Sequence, residues 1–120
     1  MTQEDKSILL KDICARIPYG LFCQTDDGKG KLISVECSFG DDLVYVDFGY
    51  TEAKEYDLND GGSVKPYLRP MSSMTEKEKK EEENTVMMFL QDFYNAHHLD
   101  YRGLIEKGLA LEAPDGMYKM

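Results

Sequence analysis

The chain has 120 residues, a formal net charge of −9 and three cysteines. That length suits one domain whose core is large enough to fold without a metal or a disulfide. The acidity argues against non-specific nucleic-acid binding and against attachment to an anionic membrane surface.

The charge is spread along the chain. Residues 1–70 hold 13 acids and 8 bases, and residues 71–120 hold 10 and 6, so neither half is a basic lobe. No apolar run reaches the length of a membrane span. The start, MTQEDKSILL, is acidic and lacks a long apolar segment, so no signal peptide is expected. The odd cysteine count and the lack of a CxxC pair predict reduced thiols in a cytoplasm.

Residues 3–17 are predicted to be a helix. Thr2 and Asp5 have N-cap spacing, and Leu9, Leu10, Ile13, Cys14 and Ile17 recur at helical intervals before Pro18 ends the run. Tyr19–Thr25 reads as a strand with Tyr19, Leu21 and Cys23 on one face. DDGKG turns the chain into a second strand, Lys31–Phe39, whose apolar face is Ile33, Val35, Cys37 and Phe39. Gly40-Asp41-Asp42 turns it again into Leu43–Tyr50, with Val44, Val46, Phe48 and Tyr50 inward. Glu52–Leu58 is a fourth strand or an extended arm. The short loops between the first three strands imply an antiparallel meander. After the NDGGS turn, Val64–Pro70 is extended, and its two prolines place it at an edge or in polyproline form.

A second helix is predicted from Ser73, where Ser73 and Glu76 have capping-box spacing. Its first turns, EKEKKEEE, are solvated. Val86, Leu90, Phe93 and His97 then follow at four, three and four, with Met87 and Tyr94 beside them, as one stripe facing the core. Leu90 and Phe93 are its expected centre. Asp100 caps a short helix, Tyr101–Lys107. Gly108 stops it, with Leu104 and Leu109 placed for the accompanying apolar contact. Leu109–Ala113, a turn at Ala113–Gly116 and Met117–Met120 read as a closing hairpin. The expected fold is therefore a single α+β domain over residues 1–120. A small antiparallel β-meander, curled in the manner of an SH3-type sheet in one form, is packed by an N-terminal helix and a long helix of the C-terminal half. A short helix and a hairpin end the chain.

The residue types that carry chemistry are sparse. His97 and His98 point about 100° apart on a helix, which does not suit one metal ion. His97 is expected at the core edge and His98 in solvent. All three cysteines fall on apolar faces, where a thiol is a small hydrophobe and no base activates it. No catalytic residue, cofactor site or metal site is predicted. One row stands out: Lys65, Tyr67 and Arg69 share one face of the extended segment, with Val64, Pro66 and Leu68 on the other. A basic–aromatic–basic row can hold a phosphate, stack a base or meet a protein partner. The competing reading pairs it with the chain's own acids, such as those of the second helix. Lys65, Tyr67 and Arg69 are the candidate partner-binding residues.

The last third, a helix, a short helix ending LIEKGLAL, a turn and a strand, is similar to the second half of a winged helix. Five acids against three bases from Asn84 onward make it a poor DNA-facing surface. KPYLRPMSSMTEKE, NAHHLDYRGLIEKGLALEAPDGMY and LLKDICARIPYG together resemble a group of short uncharacterised proteins of gut Bacteroides-type bacteria and their phages or mobile elements. The resemblance implies a bacterial or phage cytoplasmic protein. It implies no activity and assigns no functional residue. The expectation is a non-enzymatic binding or accessory protein that acts through a protein partner, with a nucleic-acid-associated module as the alternative.

Overall fold

A cap and a buried row set the first helix. In the computed structural model, which describes residues 2–38, 41–49, 52–59 and 63–118, α1 spans Gln3–Arg16. Thr2 Oγ1 accepts the Asp5 backbone N–H at 3.0 Å, as the cap spacing predicts. The buried row is Leu9, Asp12, Ile13 and Arg16. Cys14 is exposed, which corrects its expected burial. It sits about 100° around the helix from Ile13, and a charged pair takes the inward places beside Ile13.

Six strands follow: β1 Phe22–Thr25, β2 Gly28–Ser38, β3 Asp41–Asp47, β4 Lys54–Asp57, β5 Val64–Leu68 and β6 Leu111–Glu112. Their order is β4-β3-β2-β1-β5-β6, antiparallel throughout except for the β5–β6 pair. The α+β fold built on an antiparallel meander is thus the one observed. Among the described residues no pairing joins β4 to β6, so the sheet is open. Phe39, Tyr50, turn residues 60–62 and the end of the Met117–Met120 return lie outside the described residues, as does the Cys37 side chain.

Three local features shift the strands from their expected places. A 3₁₀ turn over Ile17–Tyr19 delays β1 and leaves Tyr19 exposed. Thr25 pairs with Gly28 across a two-residue turn, so β2 begins before Lys31. A bulge then falls at Ile33: Leu32 faces Val46, Ser34 faces Tyr45 and Val35 faces Val44, leaving Ile33 without a counterpart. Leu32 and Val35 therefore both turn toward the core, and Ile33 is exposed. One extra residue has exchanged the face that simple alternation assigns to Ile33.

The hydrophobic core joins Leu9 and Ile13 of α1 to Leu21, Cys23, Leu32, Val44, Val46, Tyr56, Leu58, Val64 and Leu68. Leu104, Leu109 and Ala110 close over it. Among the described residues, this cluster takes nothing from positions 70–98. The long second helix is instead two helices, α2 Glu76–Glu83 and α3 Leu90–Ala96, separated by a 3₁₀ turn at Met87–Phe89. Leu90 and Phe93, expected in the core, are half-buried. The predicted helix Tyr101–Lys107 is a run of turns. Asp100, expected to cap that helix, instead accepts from the Leu104 and Ile105 backbones, four and five residues on, at 2.8 and 2.9 Å and so ties the turns together. Among the described residues, β6 pairs parallel with β5 in place of the expected closing hairpin. Tyr118 holds the tail in place: its hydroxyl accepts from Phe22 N at 3.0 Å and donates to Tyr67 O at 2.7 Å.

Buried charge ties α1 to the C-terminal third. Arg16 donates to both Asp12 oxygens, at 2.8 and 3.0 Å, and to Leu99 O at 2.7 Å. Arg102 Nε reaches the same carboxylate at 3.1 Å. Removing the acid strands the fully buried Arg16 guanidinium and releases Arg102. In urea unfolding, Asp12→Ala is expected to cost about 3–5 kcal/mol. Cys14→Ala, a change at an exposed position, is expected to stay within about 0.5 kcal/mol.

Candidate partner-binding surface

β5 alternates as its sequence predicts, with Val64, Pro66 and Leu68 buried and Lys65 and Tyr67 half-buried on the opposite face. The candidate row nevertheless divides. Tyr67 donates its hydroxyl to Gln24 Oε1 at 2.6 Å, and Lys65 stands opposite the same Gln24 in the sheet register. Lys29 pairs with Gln24 from the other side, and Lys31 pairs with Phe22. Lys29, Lys31 and Lys65 thus surround Phe22, Gln24 and Tyr67 on the outer face of β2, β1 and β5.

Arg69 is held internally. Its guanidinium grips the Glu78 carboxylate with two bonds of 2.8 Å and also donates to His97 O at 3.2 Å and Ser73 O at 3.0 Å. The two side chains are only 11% and 4% exposed. Arg69 therefore makes the internal pairing that the sequence offered as the competing reading.

Glu78 is the centre of this clasp. Its Oε1 also accepts from Thr75 N at 2.9 Å, while Thr75 Oγ1 accepts from Glu78 N at 3.2 Å. The capping box is therefore Thr75–Glu78, two residues beyond the expected Ser73–Glu76. His97 Nδ1 lies 2.9 Å from Glu78 Oε2, and its Nε2 lies 3.6 Å from Glu81 Oε2. The hydrogen bonds from Arg69 are the largest influence on Glu78 and hold its carboxyl down to about 2.

These contacts define a helical hairpin. Tyr94 donates its hydroxyl to Glu82 Oε2 at 2.7 Å, a bond that pushes the phenol up to about 12. On one continuous helix, positions 82 and 94 would stand about 18 Å apart along the axis, and 78 and 97 about 28 Å. Contact at both levels requires α3 to return alongside α2. Rings line the return: Phe93 and His97 have centroids 4.5 Å apart, and Tyr94 and Tyr101 5.3 Å. The helix breaks where Thr85 Oγ1 bonds back to Glu81 O at 2.6 Å and Val86 takes an extended backbone.

The turn between the two helices is the feature that periodicity concealed. Val86, Met87, Met88 and Phe89 are 58, 86, 79 and 53% exposed. They form the hairpin tip, and the stripe predicted to bury Val86 and Met87 faces solvent there. A signal was present in the sequence: Asn84, Thr85 and Val86 are weak helix formers in succession.

The other reactive residue types are enclosed or quiet. His98, expected in solvent, is buried with φ +59° and stacks on Tyr118 at 3.6 Å and 11°. Burial, then the positive Arg16 nearby, lowers its pKa to about 4. Burial pushes the Cys23 thiol up to about 12, and partial desolvation against the helix surface raises the exposed Cys14. Among the described residues, no group of three or more His, Cys, Asp and Glu side chains is placed to hold a metal, and no helix is long and apolar enough to cross a membrane. Comparisons with protein-family models, curated proteins and solved structures return no match to this chain.

The clasp and the buried histidine predict two acid steps. His98 has a folded pKa near 4 against an ordinary 6.5, so the stability it contributes is full above about pH 6.5 and is lost as pH falls toward 4. Glu78, lowered from 4.5 to about 2, contributes fully above about pH 4.5 and loses that contribution as pH falls toward 2. Thermal unfolding across this range is expected to show His98→Asn flattening the upper step and Glu78→Gln the lower. Unchanged slopes in either variant would reject that group's assignment.

Proposed function

We propose that this chain is a non-enzymatic cytoplasmic binding or accessory protein that acts through a protein partner, seated on the tip of the α2–α3 hairpin. One observation carries the reading: four consecutive apolar residues, Val86 to Phe89, are more than half exposed on an element that gives nothing to the hydrophobic core. Contiguous exposed apolar surface is a mark of interaction sites. Two methionines at its crest suit contact with another protein, because the unbranched thioether adapts to irregular surfaces. The Arg69–Glu78–His97 clasp fastens the base of the hairpin and gives the tip a fixed support. The high thiol pKa of Cys23 and the stacked, buried His98 favour a binding role over nucleophilic or acid–base chemistry.

The alternative, a nucleic-acid-associated module, draws support from the face that sets Lys29, Lys31 and Lys65 around Phe22 and Tyr67. It no longer draws support from a winged-helix-like tail, because residues 101–107 form turns and β6 pairs parallel with β5. A photo-crosslinking residue placed in turn at Met87, Lys65 and Ser7, in cells that produce the protein natively, separates the readings. The expected result is a discrete protein adduct from position 87 and none from exposed position 7. A nucleic-acid adduct from position 65 with silence at 87 would transfer the function to the sheet face.

A further inference from the structure

Building on the hairpin-tip reading, we infer that the partner offers a basic amphipathic segment: apolar side chains for the tip, with lysine or arginine beside them. The observation is the charge around the tip. Residues 81–101 contain five carboxylates, Glu81, Glu82, Glu83, Asp92 and Asp100, and no lysine or arginine. Asp100 is buried and accepts from two backbone N–H groups, Glu82 holds Tyr94, and Glu81 faces His97. Glu83 and Asp92 remain exposed, one shortly before the tip and one shortly after it. Lys79 is paired with Glu76 at 3.4 Å, and Lys80, in the last turn of α2, is the one base within a turn of Glu83. The chain on either side of the apolar crest is therefore net negative, with Glu83 and Asp92 exposed against Lys80.

That charge selects among occupants. A second copy would set one net negative flank against another, in a chain whose net charge is already −9. An anionic lipid surface meets the same repulsion. A segment with apolar residues on one side and cations flanking them satisfies both the crest and its flanks, and methionines accommodate varied apolar shapes within that class. Charge then sets the preference and the approach rate, while the apolar contact sets the lifetime of the complex.

The test uses three short fluorescent helical peptides: leucine with lysine, leucine with glutamate, and serine with lysine. Each is titrated with the wild-type chain, with Met87→Ser/Met88→Ser and with Glu83→Gln/Asp92→Asn. All four substituted positions are exposed, so the variants are expected to fold, and thermal unfolding verifies this. The leucine–lysine peptide is expected to bind the wild type at least about tenfold tighter than either control. The methionine variant is expected to lose about tenfold or more, and the acid variant to bind more weakly with a shallower salt dependence. Equal binding of both leucine peptides, lost in the methionine variant, would overturn the charge preference and leave the tip as the site. Leucine–lysine binding that ignores the methionine variant would overturn both. Sedimentation showing a dimer that the methionine variant abolishes, or binding to anionic vesicles that depends on Met87, would replace the basic segment with those occupants.

Discussion

The carboxylate of Glu78 is the constraint on which the C-terminal half depends. It accepts two bonds from Arg69 at the end of β5, one from the Thr75 backbone and a contact from His97 at the end of α3. The start of α2, the end of α3 and the end of β5, which lies between β1 and β6 and not at the expected edge, therefore meet at one side chain. A carboxylate buried to 4% exposure is tolerable only because its oxygens are this fully engaged. Losing Arg69 would leave that carboxylate without its cation where water has little access.

Two kinds of fastening divide the molecule. The sheet, α1 and the 104–110 segment share one hydrophobic core. The α2–α3 hairpin shares none of it and is held by directional contacts: the Glu78 clasp, the Tyr94–Glu82 bond and a short series of rings. A second buried ionic group, Asp12 with Arg16 and Arg102, joins α1 to the turns that follow the hairpin. Hydrophobic contact is non-directional, whereas these groups fix distances and angles. That division leaves the apolar residues of the tip available to another molecule.

Legibility in the sequence followed the range of the interaction. The Thr2 cap and the alternation in β3 and β5 depend on neighbours a few residues apart, and each stands where spacing placed it. The bulge at Ile33 depends on how β3 registers against β2, which no local pattern records. The hairpin break was hidden because Val86, Leu90, Phe93 and His97 keep helical spacing across a point where the chain turns. Thr75-x-x-Glu78 and Ser73-x-x-Glu76 have the same capping spacing, and the box that forms is the one whose glutamate Arg69, six residues before Thr75, grips. Of the row Lys65, Tyr67 and Arg69, alternation correctly gave the shared face of the first two. The inward turn of Arg69 required knowing where Glu78 would lie.

The claim that residues 76–97 form a clasped hairpin presenting its apolar turn is tested most directly by a distance. Spin labels at Lys79 and Ala96, both exposed and outside the clasp, report it by pulsed electron resonance. One continuous helix would hold those positions about 26 Å apart along its axis. The hairpin predicts a single narrow distribution well below that value, broadened by Arg69→Gln. A distribution centred at about 26 Å or beyond, indifferent to Arg69, would contradict it.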